Sequence, residues 1–261
     1  MHTRSKKTSK MKKTIIAAAL ALLFGAHSAS AFGIFDNLNY QARLGYNIGG
    51  TMPMGMPASI RGLDSYKPRP SFTLALDAYK PLTKKWGMMA GFHFQTKAME
   101  TDARVKSYSM EMRQGGESLS GLFTGNVVTK TSQLVVTLPL QATFNVSDAV
   151  RLKFGPYFSY ALNNDFSGYA YDGYLREGDP TGQKVELGHN EGERGDYDFS
   201  SDMRHWHFGF DFGADWYFSH RFGAYADVQW GMSGVFRKEF KTIEQTMYPV
   251  YATLGVMYKL K

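Results

Sequence analysis

Three groups of residues in this chain have the types and spacing to do chemistry. The first is a set of ionisable side chains at odd-numbered positions: Arg43, Asp77, His93, Lys97, Arg151, Lys153, His205, His207, Asp211, Asp215, Asp227 and Lys259. Gathered on one face, they would form a paired network, because buried charges need partners. The second group is His205-x-His207, preceded by Ser200, Ser201 and Asp202. Acyl transfer there would need a Ser–His hydrogen bond and an orienting carboxylate. A His-x-His pair on one strand face could also hold a metal, but no third ligand is evident. The third is Met52-x-Met54-x-Met56, thioethers that suit a soft ion such as Cu(I). Four prolines fall between residues 51 and 70, so a Met-rich surface loop is the simpler reading.

Whole classes of chemistry drop out. With no Cys there is no disulfide, thiol nucleophile, Cys-ligated zinc or iron–sulfur cluster. No phosphate loop, zincin motif or nucleophile elbow occurs. No catalytic residue, cofactor or metal is therefore assigned. Residues 163–203 carry ten acidic and three basic side chains, with Tyr169, Tyr171 and Tyr174 among small polar neighbours. That composition reads as a solvated outer loop with recognition chemistry. The acidic run Glu191 to Asp202 lacks the spacing of an EF-hand. Gly168–Leu175 and Gln183–Leu187 could pair as an extra hairpin.

The elements that would position these groups begin after a leader. Arg4, Lys6, Lys7, Lys10, Lys12 and Lys13 precede an apolar run from Ile15 to Phe24, then Ala29-Ser30-Ala31. Positive head, short apolar core and small-residue cleavage site make residues 1–31 an export signal, starting at Met1 or Met11. The leader holds six of the 30 Lys and Arg and none of the 23 Asp and Glu. The formal net charge of +7 therefore falls to 24 against 23, or +1, in residues 32–261. A nucleic-acid partner loses its support with it.

The rest of the chain alternates. Leu38, Tyr40, Ala42, Leu44, Tyr46 and Ile48 are separated by polar residues or Gly, and similar sets begin near Phe72, Trp86, Leu134, Val150, Trp206, Phe222 and Tyr248. Successive strand side chains point to opposite faces, so each set is one dry face. Its positions are all even-numbered and total 48 residues. The interior of an eight-stranded barrel is just wide enough to be filled by side chains and cannot hold so many large apolar ones. The dry face must point outward into lipid. The expected fold is all-β: an eight-stranded antiparallel up-and-down transmembrane β-barrel over residues 32–261, with short periplasmic turns and long extracellular loops. Short turns fall near residues 81–85, 145–148 and 219–221. Trp86 and Trp216 mark the inner aromatic girdle, Trp206 and Trp230 the outer one. Ala103 to Met112 is read as a strand continuing above the membrane.

Several motifs carry a resemblance. Leu134-Val135-Val136-Thr137-Leu138-Pro139-Leu140, the run Leu152 to Tyr160, the run Phe210 to Trp216 and the closing Leu254 to Leu260 resemble the PorT-like outer-membrane β-barrel family of Bacteroidetes-type bacteria, with an OmpA/OmpX-like architecture. The resemblance covers most of residues 32–261 and specifies fold better than activity. Such barrels usually finish on an aromatic residue, where this chain has Leu260 and then Lys261. It implies a barrel in the bacterial outer membrane, with lipid and the insertion and periplasmic chaperone machinery as partners. The expected function is non-enzymatic: structural, or recognition of an extracellular ligand or protein through the outer loops over a plugged polar lumen. Two alternatives stand beside it: a narrow porin-like transport channel, and a rim enzyme for lipid or peptide hydrolysis or acyl transfer.

Overall fold

The computed structural model describes residues 36–55, 57–114, 117–240, 242–243 and 245–260, with side chains left aside at 113–117. The expected export signal, residues 1–31, lies outside the described residues, as do Met56 and Lys261. The strands are β1 (Asn39–Pro53), β2 (Ile60–Pro68), β3 (Phe72–Pro81), β4 (Trp86–Gln114), β5 (Glu117–Asn145), β6 (Val150–Glu177), β7 (Lys184–Leu187), β8 (Gly195–Asp198), β9 (Trp206–Tyr217), β10 (Phe222–Gly231) and β11 (Met247–Lys259). Eight of them close a ring in the order β1, β3, β4, β5, β6, β9, β10, β11, every pairing antiparallel. The first and last ring strands meet, with Tyr46 opposite Leu254.

The alternation dictates what faces where. Leu44, Leu74, Leu138, Phe154, Phe210 and Leu254 are exposed on the outer wall, while Arg43, Thr73, Thr137, Lys153, Asp211 and Thr253 are buried inside. A closed ring leaves no unpaired edge, the condition for strands to cross lipid. Short turns follow β3, β5 and β9 at one end. Two are fixed by hydroxyls: Thr83 Oγ1 accepts the Trp86 amide at 2.9 Å, and Ser147 Oγ accepts the Val150 amide at 3.1 Å.

Trp86, Trp206, Trp216 and Trp230 all face outward. Trp86 packs on Phe144 and Trp216 on Phe218 near the short turns, and Trp206 packs on Tyr160 near the far end. Trp206 and Trp216 are ten positions apart on β9. At ~3.4 Å per residue and a tilt of ~40° this gives an apolar band about 26 Å tall, close to the ~25 Å of an outer-membrane barrel.

At the far end two expectations hold: Ala103–Met112 continues β4 above the membrane, and the hairpin expected from Gly168–Leu175 and Gln183–Leu187 forms between β6 and β7. The rest departs from the expected long loops. β4, β5 and β6 run on as a tall extension: β4 continues to Gln114, past Phe94 at the outer girdle. β2 adds to the outer part of β4, β7 pairs with Gly173–Arg176 of β6, and β8 pairs with β6 and touches β4 at Arg113. Tyr169, Tyr171 and Tyr174 therefore stand on strand β6, not on a loop tip. Irregularities line up across the extension, between Val105 and Tyr108 on β4, near Gly125 on β5 and at Asp172 on β6. Ser107 and Asp172 adopt positive φ there.

The bulges of β4 and β6, including one at Leu162, change the phase of alternation on those strands, whereas β5 keeps its odd-numbered residues inward. In the extension Met110, Met112, Phe166, Ala170, Leu175, Phe123 and Val127 point inward and form an apolar core with Leu187, Tyr197 and Phe199. Where lipid surrounds the barrel the interior is polar; where water surrounds the extension the interior is apolar.

Phe123 is fully buried in that outer core. Phe123→Ala should cost the extension about 3–5 kcal/mol. Limited proteolysis of the folded protein should then cut within residues 170–198, while the membrane-embedded strands stay protected and the boiled and unboiled samples still migrate differently on a gel.

Candidate functional site: a charge network filling the lumen

The lumen is organised around Arg43, held by β1 at the centre of the ring. Its guanidinium faces carboxylates from three other strands. Nη1 and Nη2 form a bidentate pair with Asp215 of β9 at 3.0 and 2.9 Å. Nε meets Asp77 of β3 at 2.5 Å, and Nη1 lies 3.6 Å from Asp227 of β10. Lys153 of β6 bridges the same acids, 2.8 Å from Asp215 and 2.6 Å from Asp227. His93 of β4 meets Asp77 at 2.8 Å. Six strands thus supply one cluster. Planar bidentate pairing suits Arg, and Lys adds a second point charge where two carboxylates converge. The carboxylates have room because Gly91 and Gly213 leave space: a Cβ on either would collide with Asp77 Oδ1 or Asp227 Oδ1.

A second layer lies toward the outer end. Gln141 and Gln229 donate to the Asp211 carboxylate at 3.0 and 3.1 Å. Lys97 donates to the Gln229 carbonyl at 2.8 Å and lies between the Tyr157 and Tyr251 rings. Asn47 Oδ1 accepts from both Thr73 and Thr253 at 2.7 Å, and Thr137 joins Gln95 to Ser159. Arg43 is 2 % exposed and Asp211 and Asp215 are 0 % exposed, so the network occupies the bore.

The structure brings together Arg43, Asp77, His93, Lys153, Asp215 and Asp227, and sets Asp211 beside them. Lys97 joins the second layer, and the remaining four, Arg151, His205, His207 and Lys259, stand apart, Lys259 over the Tyr217 ring. Arg151 sits at the short-turn end, where it donates to Asn145 and Tyr217 at 3.0 and 2.9 Å and stacks on Tyr79. His207 sits at the outer end beside the Arg204 carbonyl and Ser233. His205 lies outside the lumen, stacked on Tyr160. The serines considered for acyl transfer point elsewhere: Ser200 accepts the Phe166 amide and Ser201 donates to Asp202. Among the described residues no cluster of three His, Asp or Glu has metal-site geometry.

Sequence reasoning passed over the neutral members: Gln141, Gln229, Asn47 and the inward Tyr79, Tyr157, Tyr217, Tyr225 and Tyr251. The signal was present, because each carries an odd number on a strand whose even positions are dry.

On the outer extension, Tyr169 carries the Arg194 guanidinium 4.2 Å from its ring centroid, and Lys184 lies 4.8 Å from that of Tyr174. The Tyr171 hydroxyl donates to Asp102 at 2.7 Å. Desolvation, then that hydrogen bond, pushes the phenol above its ordinary pKa.

Residues 27–237 match the sequence model of a family described as "Outer membrane protein beta-barrel domain". No curated protein sequence matches. Similar solved structures include Ail, the attachment invasion locus protein of Yersinia pestis, in complex with the heparin analogue sucrose octasulfate. It is 12 % identical with a TM-score of 0.39, covering 85 % of this chain and 99 % of its own. The outer membrane protein OprG from Pseudomonas aeruginosa is 13 % identical with a TM-score of 0.36, covering 85 % and 95 %.

Removing one partner of a buried ion pair leaves the other charge stranded. Asp215→Ala removes the bidentate partner of Arg43 and one of the two carboxylates on Lys153, leaving two buried cations to share Asp77 and Asp227, and should destabilise the barrel by about 3 kcal/mol. Arg151→Ala removes bonds to neutral partners near the barrel end and should cost about 1–3 kcal/mol. Urea unfolding in micelles, followed by Trp fluorescence, checks the order; equal midpoints would show that the Arg43 cluster is not the keystone.

Proposed function

We propose that this chain, which belongs to the outer membrane protein beta-barrel domain family and resides in the outer membrane, acts there as a closed, non-enzymatic surface barrel. Its membrane ring anchors, and its outer extension presents a recognition surface. The observation that carries this reading is the bore filled by Arg43, Lys153 and their carboxylates. Ions would have to break paired, desolvated contacts to pass. The folded extension supports the second half: Tyr169 and Tyr174 are amphipathic rings held by neighbouring cations on a strand surface, which lowers the entropy lost on binding.

Within the family, the strand motifs of residues 134–160, 210–216 and 254–260 support a place among the PorT-like barrels of Bacteroidetes-type bacteria. Residues 1–31 are proposed as the cleaved export signal. The partners that follow are outer-membrane lipid, the chaperones and insertion machinery that deliver the chain, and an extracellular ligand or protein.

Planar-bilayer conductance of the refolded protein tests the closed bore. A protein that inserts, shows heat-modified gel mobility and stays electrically silent is the expected result. Discrete, reproducible current steps would replace this reading with a transport channel. With the parent silent, Arg43→Ala, which removes the central cation of the bore, should introduce current steps.

A further inference from the structure

The barrel wall is incomplete at one place. β3 stops at Phe72, whereas its neighbours β1 and β4 continue outward. The last backbone bond from β1 toward that side is Asn47 N–H to Ser71 O at 2.8 Å. Beyond it β2 lies against β4 but not against β1. The exposed edge of β1 is satisfied by two side chains instead. The Tyr66 hydroxyl accepts the Gly49 amide at 3.1 Å and donates to the Gly49 carbonyl at 2.8 Å. Met99 sulfur accepts the Thr51 amide at 3.4 Å. Gly50 makes this possible, because a Cβ there would collide with the Met99 sulfur.

Behind this seam is a cavity of about 400 Å³, within the range of small-molecule sites. It is lined by Met99, Val105 and Val127 of β4 and β5 and by Phe166, Phe199 and Met247. Apolar cavities far smaller, of ~150 Å³, stay dry and take up hydrocarbons. The same cavity is also lined by Ile48, Met52 and Leu63, which are 41 %, 48 % and 54 % exposed on the outer surface. The cavity wall is therefore continuous with the lipid-facing wall. The register sets the seam beside the outer aromatic girdle: Gly50 lies opposite Val250, and Val250 opposite Trp230.

We propose that this cavity is a binding site for a single acyl chain of an outer-leaflet lipid, which enters sideways between β1 and β2 past Tyr66 and Met99. Apolar lining selects a hydrocarbon, and continuity with the lipid-facing surface selects the membrane as its source. Below, Lys97 and the polar lumen stop the chain from passing down the bore. The site does not depend on the recognition reading above.

The test is photo-crosslinking in nanodiscs that contain phosphatidylcholine with a diazirine in one acyl chain, followed by peptide mapping. A parallel arm adds diazirine-palmitic acid from the aqueous side of nanodiscs without the labelled lipid. Label from the bilayer-borne chain is expected on peptides bearing Val105, Met110 and Met247, which face the cavity. Ala103→Trp, which fills the cavity, should lower that yield at least fivefold, and Tyr66→Phe, which removes the hydroxyl clasp, should raise its initial rate at least twofold. Heat-modified gel mobility confirms folding of each variant, and the Tyr66→Phe result decides should Ala103→Trp not fold. Label confined to outward residues such as Leu74, Leu138 and Phe210 would overturn the proposal. So would cavity label from the aqueous acid alone, or rates indifferent to Tyr66→Phe.

Discussion

One guanidinium ties the membrane ring together. Arg43 on β1 reaches Asp77 on β3, Asp215 on β9 and Asp227 on β10, strands that are not all neighbours of β1 in the wall. Backbone ladders fix each strand only to those beside it. The Arg43 cluster braces the ring across its diameter. A soluble domain would use apolar packing for this. A barrel whose outside is lipid gains no hydrophobic energy from burying the same groups inside, so cross-bracing falls to charges and hydrogen bonds. The cost of desolvating them is offset because each carboxylate meets a cation or two amide donors.

The outer extension inverts that arrangement with the same three strands. Phe166 is buried five residues after Ala161 on β6, although one number is even and the other odd. The bulge at Leu162 absorbs the difference. Each strand thus serves two solvents in succession, and the irregularities are where it changes over. Apolar packing, unavailable between lipid and lumen, becomes available again once water bathes the outside. The cavity behind Tyr66 lies at the changeover, where the dry core of the extension rests on the polar lumen.

Much of this was legible in the residues. Strict alternation with constant parity gave eight ring strands, their outward faces and the short turns. It failed above the girdle for a physical reason: constant parity cannot survive a bulge, and β4 and β6 both contain one. Residues such as Asp165, Asp172 and Glu177 also give the region the acidic, Gly-rich look of a loop, although Phe166, Ala170 and Leu175 between them carry a core. The membership of the charge cluster was visible from parity, but not its pairing. Which acid faces Arg43 depends on strand stagger around the ring, which no single segment encodes. For the same reason Arg151 and His207 could not be told from Lys153 until their heights were known. The seam was hidden because it follows from β3 being shorter than its neighbours, a property of three strands together.

The ring closes by joining its two chain ends, with Tyr46 of β1 against Leu254 of β11. The interval between them is almost the whole folded chain, so closure is the least local contact in the molecule and the slowest kind to form. Every intermediate before it is an open sheet with two free edges. Arg43 rides on the very strand that must wait, and its acids on β9 and β10 come from the last third of the chain. Before closure those carboxylates lack their guanidinium. The contacts of Arg43 with Asp215 and Asp227 therefore complete only as β1 meets β11, which ties the central brace of the ring to its last joint.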